Sequence, residues 1–197
     1  MSKTGFINLY LIHCCGLGTI YMPKSSKKQI DADEKQIVNI LKRNAKDSID
    51  VIAKKCGFSR QKVWRIVKRL EKNKTIWGYS AVVDDEKLDN RHFTILFKRS
   101  MKPIDDFIYN EIQSKRVDEY YPELKIMAEN VFYVSGTYDL IITLTAPGIV
   151  ETKMFCEKIF QIAREYLSDY EILETITPIR KNGLRNPHLM RQIKSLL

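Results

Sequence analysis

The stretch "SRQKVWRIVKRL", residues 59–70, decides the fold. It carries five cationic side chains in twelve positions: Arg60, Lys62, Arg65, Lys68 and Arg69. Between them Val63, Ile66, Val67 and Leu70 recur at i, i+3, i+4 and i+7, the spacing of one face of an α-helix. Such a helix buries its apolar stripe on a core and offers the other side to something negative. A merely solvated surface helix has the same composition, so the neighbouring segments must decide.

Upstream, "IDADEKQIVNILKRNAKD" reads as a helix capped by Asp31, with Glu34 in capping-box position and Ile37, Val38, Ile40 and Leu41 as its buried stripe. "DSIDVIAKKCGF" reads as a shorter helix capped by Ser48, with Ile49, Ile52, Ala53 and Cys56 facing inward. Gly57 ends it, supplying the positive φ that a tight corner between helices needs. Ser59 then caps the opening stretch. Small Ala53, the Gly57 turn and apolar Val63 follow the rhythm of a helix-turn-helix, whose second helix enters the DNA major groove. In that geometry Gln61 suits an adenine edge and Arg60 or Arg65 a guanine edge. Lys62, Lys68 and Arg69 suit phosphates, and Ser59 doubles as cap and phosphate contact. Trp64 is expected to pack against the first helix or a wing, the alternative being a place at the DNA rim. "KNKTIWGYSAVVD" then changes period and suggests a turn running into a wing or linker strand.

The bulk numbers agree with an anionic partner. The 197 residues carry a formal charge of +9, and 44% are hydrophobic, which suits one or two globular domains and excludes a mainly disordered chain. The four cysteines, Cys14, Cys15, Cys56 and Cys156, form no C-x-x-C pair, and three histidines are scattered. No metal site or cofactor is expected, and a reduced, cytoplasmic chain is the simplest reading. The run "FINLYLIHCCGLGTIYM" is apolar but interrupted by Asn8, His13, Gly16 and Gly18. It reads as a dispensable extension or an over-long start; the alternatives are a membrane anchor over residues 5–21 or a segment packed on the body.

From Arg91 the chain alternates. "HFTILFKRS" sets Phe93, Ile95 and Phe97 against Thr94, Leu96 and Lys98, as a strand does. "KPIDDFIYNEIQSKR" is helical with Pro103 in its first turn, and Pro122 interrupts any helix in "VDEYYPELKIMAEN". "VFYVSGTYDLIITLTAP" makes two strands around residues 135–138. "GIVETKMFCEKIFQIAREYLSD" makes a helix with Ile149, Val150, Met154, Phe155, Ile159, Phe160, Ala163 and Leu167 in register, and "YEILETITPIR" closes as a strand. The order β-α-β-β-α-β predicts an α+β, ferredoxin-like domain with helices on one face of the sheet. Apolar residues on both alternating sets of "FTILF" and "LIITL" ask for cover on the other face, from a tail, from the N-terminal extension or from a second subunit packed sheet on sheet.

Two segments together carry a likeness: "DADEKQIVNILKRNAKDSIDVIAKKCGFSRQKVWRIVKRLEKNKTIWGYSAVVDDEKL" and "VSGTYDLIITLTA". Over about residues 29–180 the chain resembles the Lrp/AsnC (feast/famine) regulators, of archaeal type. The resemblance implies an α+β protein in which a winged helix-turn-helix DNA-binding domain precedes a βαββαβ RAM domain. It implies double-stranded DNA as partner, a homodimer or a ring of dimers, and a small effector such as an amino acid near Gly136, Thr137, Tyr138 and Asp139. The same "SGTYD" is also a good hairpin turn, with Asp139 bonding its own loop. On this basis residues 1–28 are an extension, 29–78 the DNA-binding domain, 79–90 a linker strand, 91–180 the RAM domain and 181–197 a basic tail. The segment from Arg116 to Asn130 and the tail "RKNGLRNPHLMRQIKSLL" depart from the family pattern, the tail offering a short helix and a means of covering the sheet. The rival reading is a tetrapyrrole-modifying enzyme of the siroheme decarboxylase type on the same fold. The linker "IWGYSAVV" lacks the histidine and arginines that such chemistry uses, and a sequence-specific DNA-binding regulator, not an enzyme, is the expected function.

Overall fold

The computed structural model describes residues 27–106, 108, 110 and 121–194. They divide into two compact units that meet at Gly78 and Tyr79. The first unit holds α1 (Lys27–Arg43), α2 (Ile49–Cys56) and α3 (Arg60–Lys72). Their apolar stripes converge, with Ile37, Ile52, Ala53, Val63, Ile66, Val67 and Leu70 all buried in one cluster. Removing each large side chain from water contributes about 1.5–3 kcal/mol, which is what holds so small a trio together.

The ends of α2 and α3 form as their sequences dictate. The Ser48 hydroxyl accepts from the Val51 amide and the Ser59 hydroxyl from the Lys62 amide, both at 3.3 Å. Gly57 takes the left-handed conformation at φ 68°, ψ 30°. The start of α1 differs from expectation. The helix already runs from Lys27, so Asp31 and Glu34 lie within it and no capping box forms.

After α3, Lys74 turns the chain at φ 61°, and the Ile76 amide donates to the Leu70 carbonyl at 3.0 Å, bringing Ile76 onto the helical core. The expected linker strand over 79–90 is not formed. An extended segment becomes a strand only by pairing its backbone, and residues 77–84 join no ladder; a 3-10 turn over Asp85–Leu88 comes next.

The second unit is built on β1 (Arg91–Arg99), β2 (Met127–Tyr133), β3 (Leu140–Ala146) and β4 (Leu167–Glu174), antiparallel in the order β2-β3-β1-β4. This is the ferredoxin-like order. Strand β2 starts four residues before the expected Val131, after a 3-10 turn at Pro122–Leu124. Of the first helix, Asp106, Ile108 and Asn110 are helical, opened by the Asp105 carboxylate accepting from the Ile108 amide at 3.2 Å, with Pro103 before it; the rest of that expected helix lies outside the described residues. Helix α4 (Ile149–Ile162) packs Phe155 and Cys156 against Phe93, Ile95, Phe97, Ile142 and Leu144. Leu167 is buried as the first residue of β4, not as the last helical residue, and Val150 and Met154 are exposed.

On the other face Leu96 pairs laterally with Ile141, and Ile141 with Phe132, while Thr94 lies beside Leu173. Phe132 and Leu173 are about half exposed. Beyond β4 the tail forms a small hairpin, β5 (Arg180–Lys181) and β6 (Leu184–Arg185), then α5 (Leu189–Lys194). Asn182 and Gly183 both have positive φ at its turn, as a two-residue hairpin of this hand requires. Lys181 Nζ bridges Asp85 (2.8 Å) and Glu129 (2.7 Å), and the Glu129 carboxylate also lies 3.3 Å from His92 Nε2. The tail is thus tied to one end of the sheet and to the turn before β1. Of the extension expected over residues 1–28, residues 1–26, with their anchor alternative, lie outside the described residues, and Lys27 and Lys28 belong to α1.

Candidate nucleic-acid interface

The seven basic and polar residues singled out around α3 do not form one set. Every third or fourth side chain of a helix shares a face, so Arg60, Trp64 and Lys68 make one ridge and Gln61 and Arg65 the next. All five are exposed, on the side away from the buried Val63, Ile66, Val67 and Leu70. Lys62 and Arg69 lie one heptad apart on the flank that faces α1. Lys62 Nζ is 2.6 Å from Asp33, and Arg69 reaches Glu34 at 2.7 Å.

The Lys62 pair is the tightest feature of this surface. Asp33 is 3% exposed, and the ammonium also lies 3.8 Å over the Phe58 ring. Burial works against the Asp33 charge, but hydrogen bonds from Lys62 and Gln29 and the Lys62 charge outweigh it and hold the carboxyl below its ordinary range. An ammonium so placed locks α3 to α1 and is poorly placed to reach a phosphate. Sequence reasoning assigns Lys62 to phosphates because spacing alone cannot show that Asp33 lies across the interface.

The outward residues are held loosely. Arg60 pairs with Asp50 at 2.8 Å and Lys68 with Glu71 at 2.9 Å, both at the exposed surface where such pairs are worth about 0–1 kcal/mol. Arg65 Nε donates to the Gln61 carbonyl at 3.4 Å. Such exposed contacts cost little to break. Trp64, expected to pack inward, is 54% exposed instead. Its neighbours at i−4 and i+4 are cations rather than core residues, so the helix register turns it outward.

In the second unit, the expected effector residues Gly136 to Asp139 form the turn between β2 and β3. The Asp139 carboxylate accepts from the Arg99 amide at 2.9 Å, tying the turn to β1, while the Asp139 carbonyl accepts from the Val134 amide at 2.8 Å within its own loop. The Asp139 amide in turn donates to the Phe97 carbonyl at 2.9 Å. Tyr138 donates to Glu171 Oε2 at 2.5 Å, and that bond, with partial burial and nearby carboxylates, raises the phenol above its ordinary value. Gly136 and Thr137 are exposed, and a Cβ at Gly136 would meet nothing within 4 Å. Among the described residues no cluster of histidine, cysteine and carboxylate side chains could hold a metal, and no helix is long and apolar enough to cross a membrane. His13, Cys14 and Cys15 lie outside them.

Residues 32–76 match the family model described as winged helix-turn-helix DNA-binding. The chain is 28% identical over 123 residues to the HTH-type transcriptional regulator YugG of Bacillus subtilis, covering 62% of this chain and 70% of that one. It is 43% identical over 68 residues to the leucine-responsive regulatory protein of Haemophilus influenzae, covering 34% and 41% of the two. Two solved structures share the fold: an AsnC family transcriptional regulator from Agrobacterium tumefaciens (TM-score 0.57, 18% identity, 80% of this chain and 97% of that one) and a transcriptional regulator from Neisseria meningitidis in complex with L-Met (TM-score 0.58, 15% identity, 80% and 97%). Over residues 32–76 the chain carries a winged helix-turn-helix DNA-binding domain, and its homologues are transcriptional regulators, a leucine-responsive regulatory protein among them.

Proposed function

We propose that the protein is a sequence-selective DNA-binding transcriptional regulator that reads the major groove with the outward side of α3. The observation that carries this reading is the division of labour on that helix. Lys62 and Arg69 are engaged by α1, while Arg60, Gln61, Arg65 and Lys68 stand exposed on one surface. Gln61 and Arg65 offer the bidentate groups that base edges select, and Arg60, Lys68 and the Ser59 turn suit phosphates. A reader of DNA works in the cytoplasm or wherever the genome is held. The similar proteins are regulators rather than enzymes, which leaves the tetrapyrrole reading without support.

One recognition helix reads half a site, so the working form is a homodimer. The open sheet face, with Leu96, Ile141, Phe132 and Leu173, is the surface that fits a second copy, and assembly into a ring of dimers is compatible with it. The turn at Gly136 to Asp139 is proposed as the effector site, on the likeness to a regulator solved with L-Met. Its exposed Gly136 and Thr137 beside the Tyr138–Glu171 pair suit a small polar ligand such as an amino acid. The test is capture of sheared genomic DNA of the source organism by the purified full chain, then sequencing with and without a mixture of amino acids. Enrichment of a small set of fragments sharing a two-fold sequence supports the reading, and a changed set on adding amino acids supports the effector. Even recovery of all fragments contradicts sequence selection.

A further inference from the structure

We infer that Trp64 is a specificity-determining residue that selects thymine in each half-site; the inference rests on the DNA-binding reading of α3 and sharpens it. A tryptophan on a helix normally stabilises the fold by burying its ring, and Trp64 does not. It is 54% exposed at the middle of the surface formed by Arg60, Gln61, Arg65 and Lys68. None of the core side chains of α3 stands to lose a contact partner by that placement, since Val63, Ile66, Val67 and Leu70 are already buried by α1 and α2. The cations on either side of it, Arg60 and Lys68, direct the ridge to a polyanion, so the ring is carried to the same surface as the charges.

The chemistry of the indole then names the base. It has an apolar body and a single N–H that can donate but not accept. The major groove offers one apolar feature, the C5-methyl of thymine, and thymine also presents an acceptor, O4, beside it. Cytosine presents a donor at N4 and would set two donors face to face. Guanine and adenine offer acceptors but no methyl. Thymine alone among the four matches both halves of the side chain.

The experiment uses the full chain and a duplex selected by it from a random pool. Each thymine of the selected half-site is replaced in turn by uracil, which deletes only the methyl, and by 5-methylcytosine opposite guanine, which keeps the methyl and turns the acceptor into a donor. Wild type and the Trp64→Ala and Trp64→Phe variants are compared by anisotropy. The exposed position means that neither change disturbs the core, and helix content by circular dichroism checks this. For the wild type, uracil at one thymine per half-site is expected to weaken binding about fourfold, the value of one buried methyl, and 5-methylcytosine to weaken it at least as much. Trp64→Ala is expected to lose both penalties and its preference at that position, while keeping the salt dependence of the wild type. Trp64→Phe is expected to keep the uracil penalty and lose most of the 5-methylcytosine penalty. If Trp64→Ala selects the same sequence with the same two penalties, the inference is overturned and the DNA reading stands. If the wild type binds no duplex, the DNA reading itself falls and takes this one with it.

Discussion

Lys62 and Arg65 sit three residues apart on one basic helix, and the structure gives them opposite work. Lys62 neutralises a carboxylate that is almost completely buried; Arg65 stands in solvent. Lys62→Met should therefore destabilise the first unit by about 2–3 kcal/mol at neutral pH, somewhat less than a fully buried pair because the lysine is a third exposed. The sign with pH is distinctive. In the wild type the Asp33 carboxyl is held below its ordinary range, so its contribution is present above the unfolded value and lost as pH falls through the folded one. In Lys62→Met burial outweighs the remaining Gln29 hydrogen bond, the carboxyl rises, and the deficit relative to wild type shrinks as pH drops from 7 toward 4. Urea melts at several pH values check this, and a deficit independent of pH would contradict it. Gln61→Ala and Arg65→Ala should leave stability within about 0.5 kcal/mol. Each should lower affinity for a selected site by about 1–3 kcal/mol and relax the preference there. Lys68→Ala should weaken all DNA alike and reduce the salt slope by about one contact, measured in the same titrations.

Among the elements, those fixed by a chemically specific end are legible in the sequence and those fixed by packing are not. Ser48, Gly57 and Ser59 each carry a local reason to be where they are, and the structure uses all three. Gly57→Ala meets no steric neighbour, so its cost is the left-handed backbone alone, about 1–2 kcal/mol in a thermal or urea melt, with Gly57→Asn costing less. Ser59→Ala should cost about 1 kcal/mol through the lost Lys62 amide contact. The start of α1 escapes the spacing argument because Asp31 and Glu34 have capping spacing, while that turn of helix is held by Asp33 reaching Lys62, a contact the sequence does not display. The end of α4 escapes it for a different reason. Leu167 falls at helical spacing, but the Tyr166 and Leu167 amides both donate to Ala163 and turn the chain there without glycine or proline. A first strand residue pointing into the same core continues the helical pattern by coincidence. Trp64 shows the same limit: a stripe of apolar residues predicts which face is buried, not that a large ring will be left off it.

At the scale of the molecule, the order of strands and the helical trio can be read from periodicity, whereas the tail cannot be placed by it. Its Asn182-Gly183 pair is a strong hairpin signal, yet its docking depends on Lys181 reaching Asp85 and Glu129, both distant in the sequence. The apolar residues on both faces of the sheet carry a prediction of assembly. Leu96→Glu places a charge at the middle of the open face beside Ile141, and is expected to turn a dimer into a monomer by sedimentation while leaving DNA affinity per subunit for half-sites intact. A wild-type chain that sediments as a monomer would remove the dimer from the account.

The central claim is that the exposed side of α3 reads DNA. It is tested most directly by fluorescence anisotropy of the full chain with a duplex from its own upstream region and a scrambled duplex of equal length, across a range of salt. With roughly three cationic contacts per subunit, a dimer should lose affinity with a slope of about −5 in log–log form, and the native duplex should bind at least about tenfold tighter than the scramble. Weak binding that ignores both sequence and salt would contradict the claim.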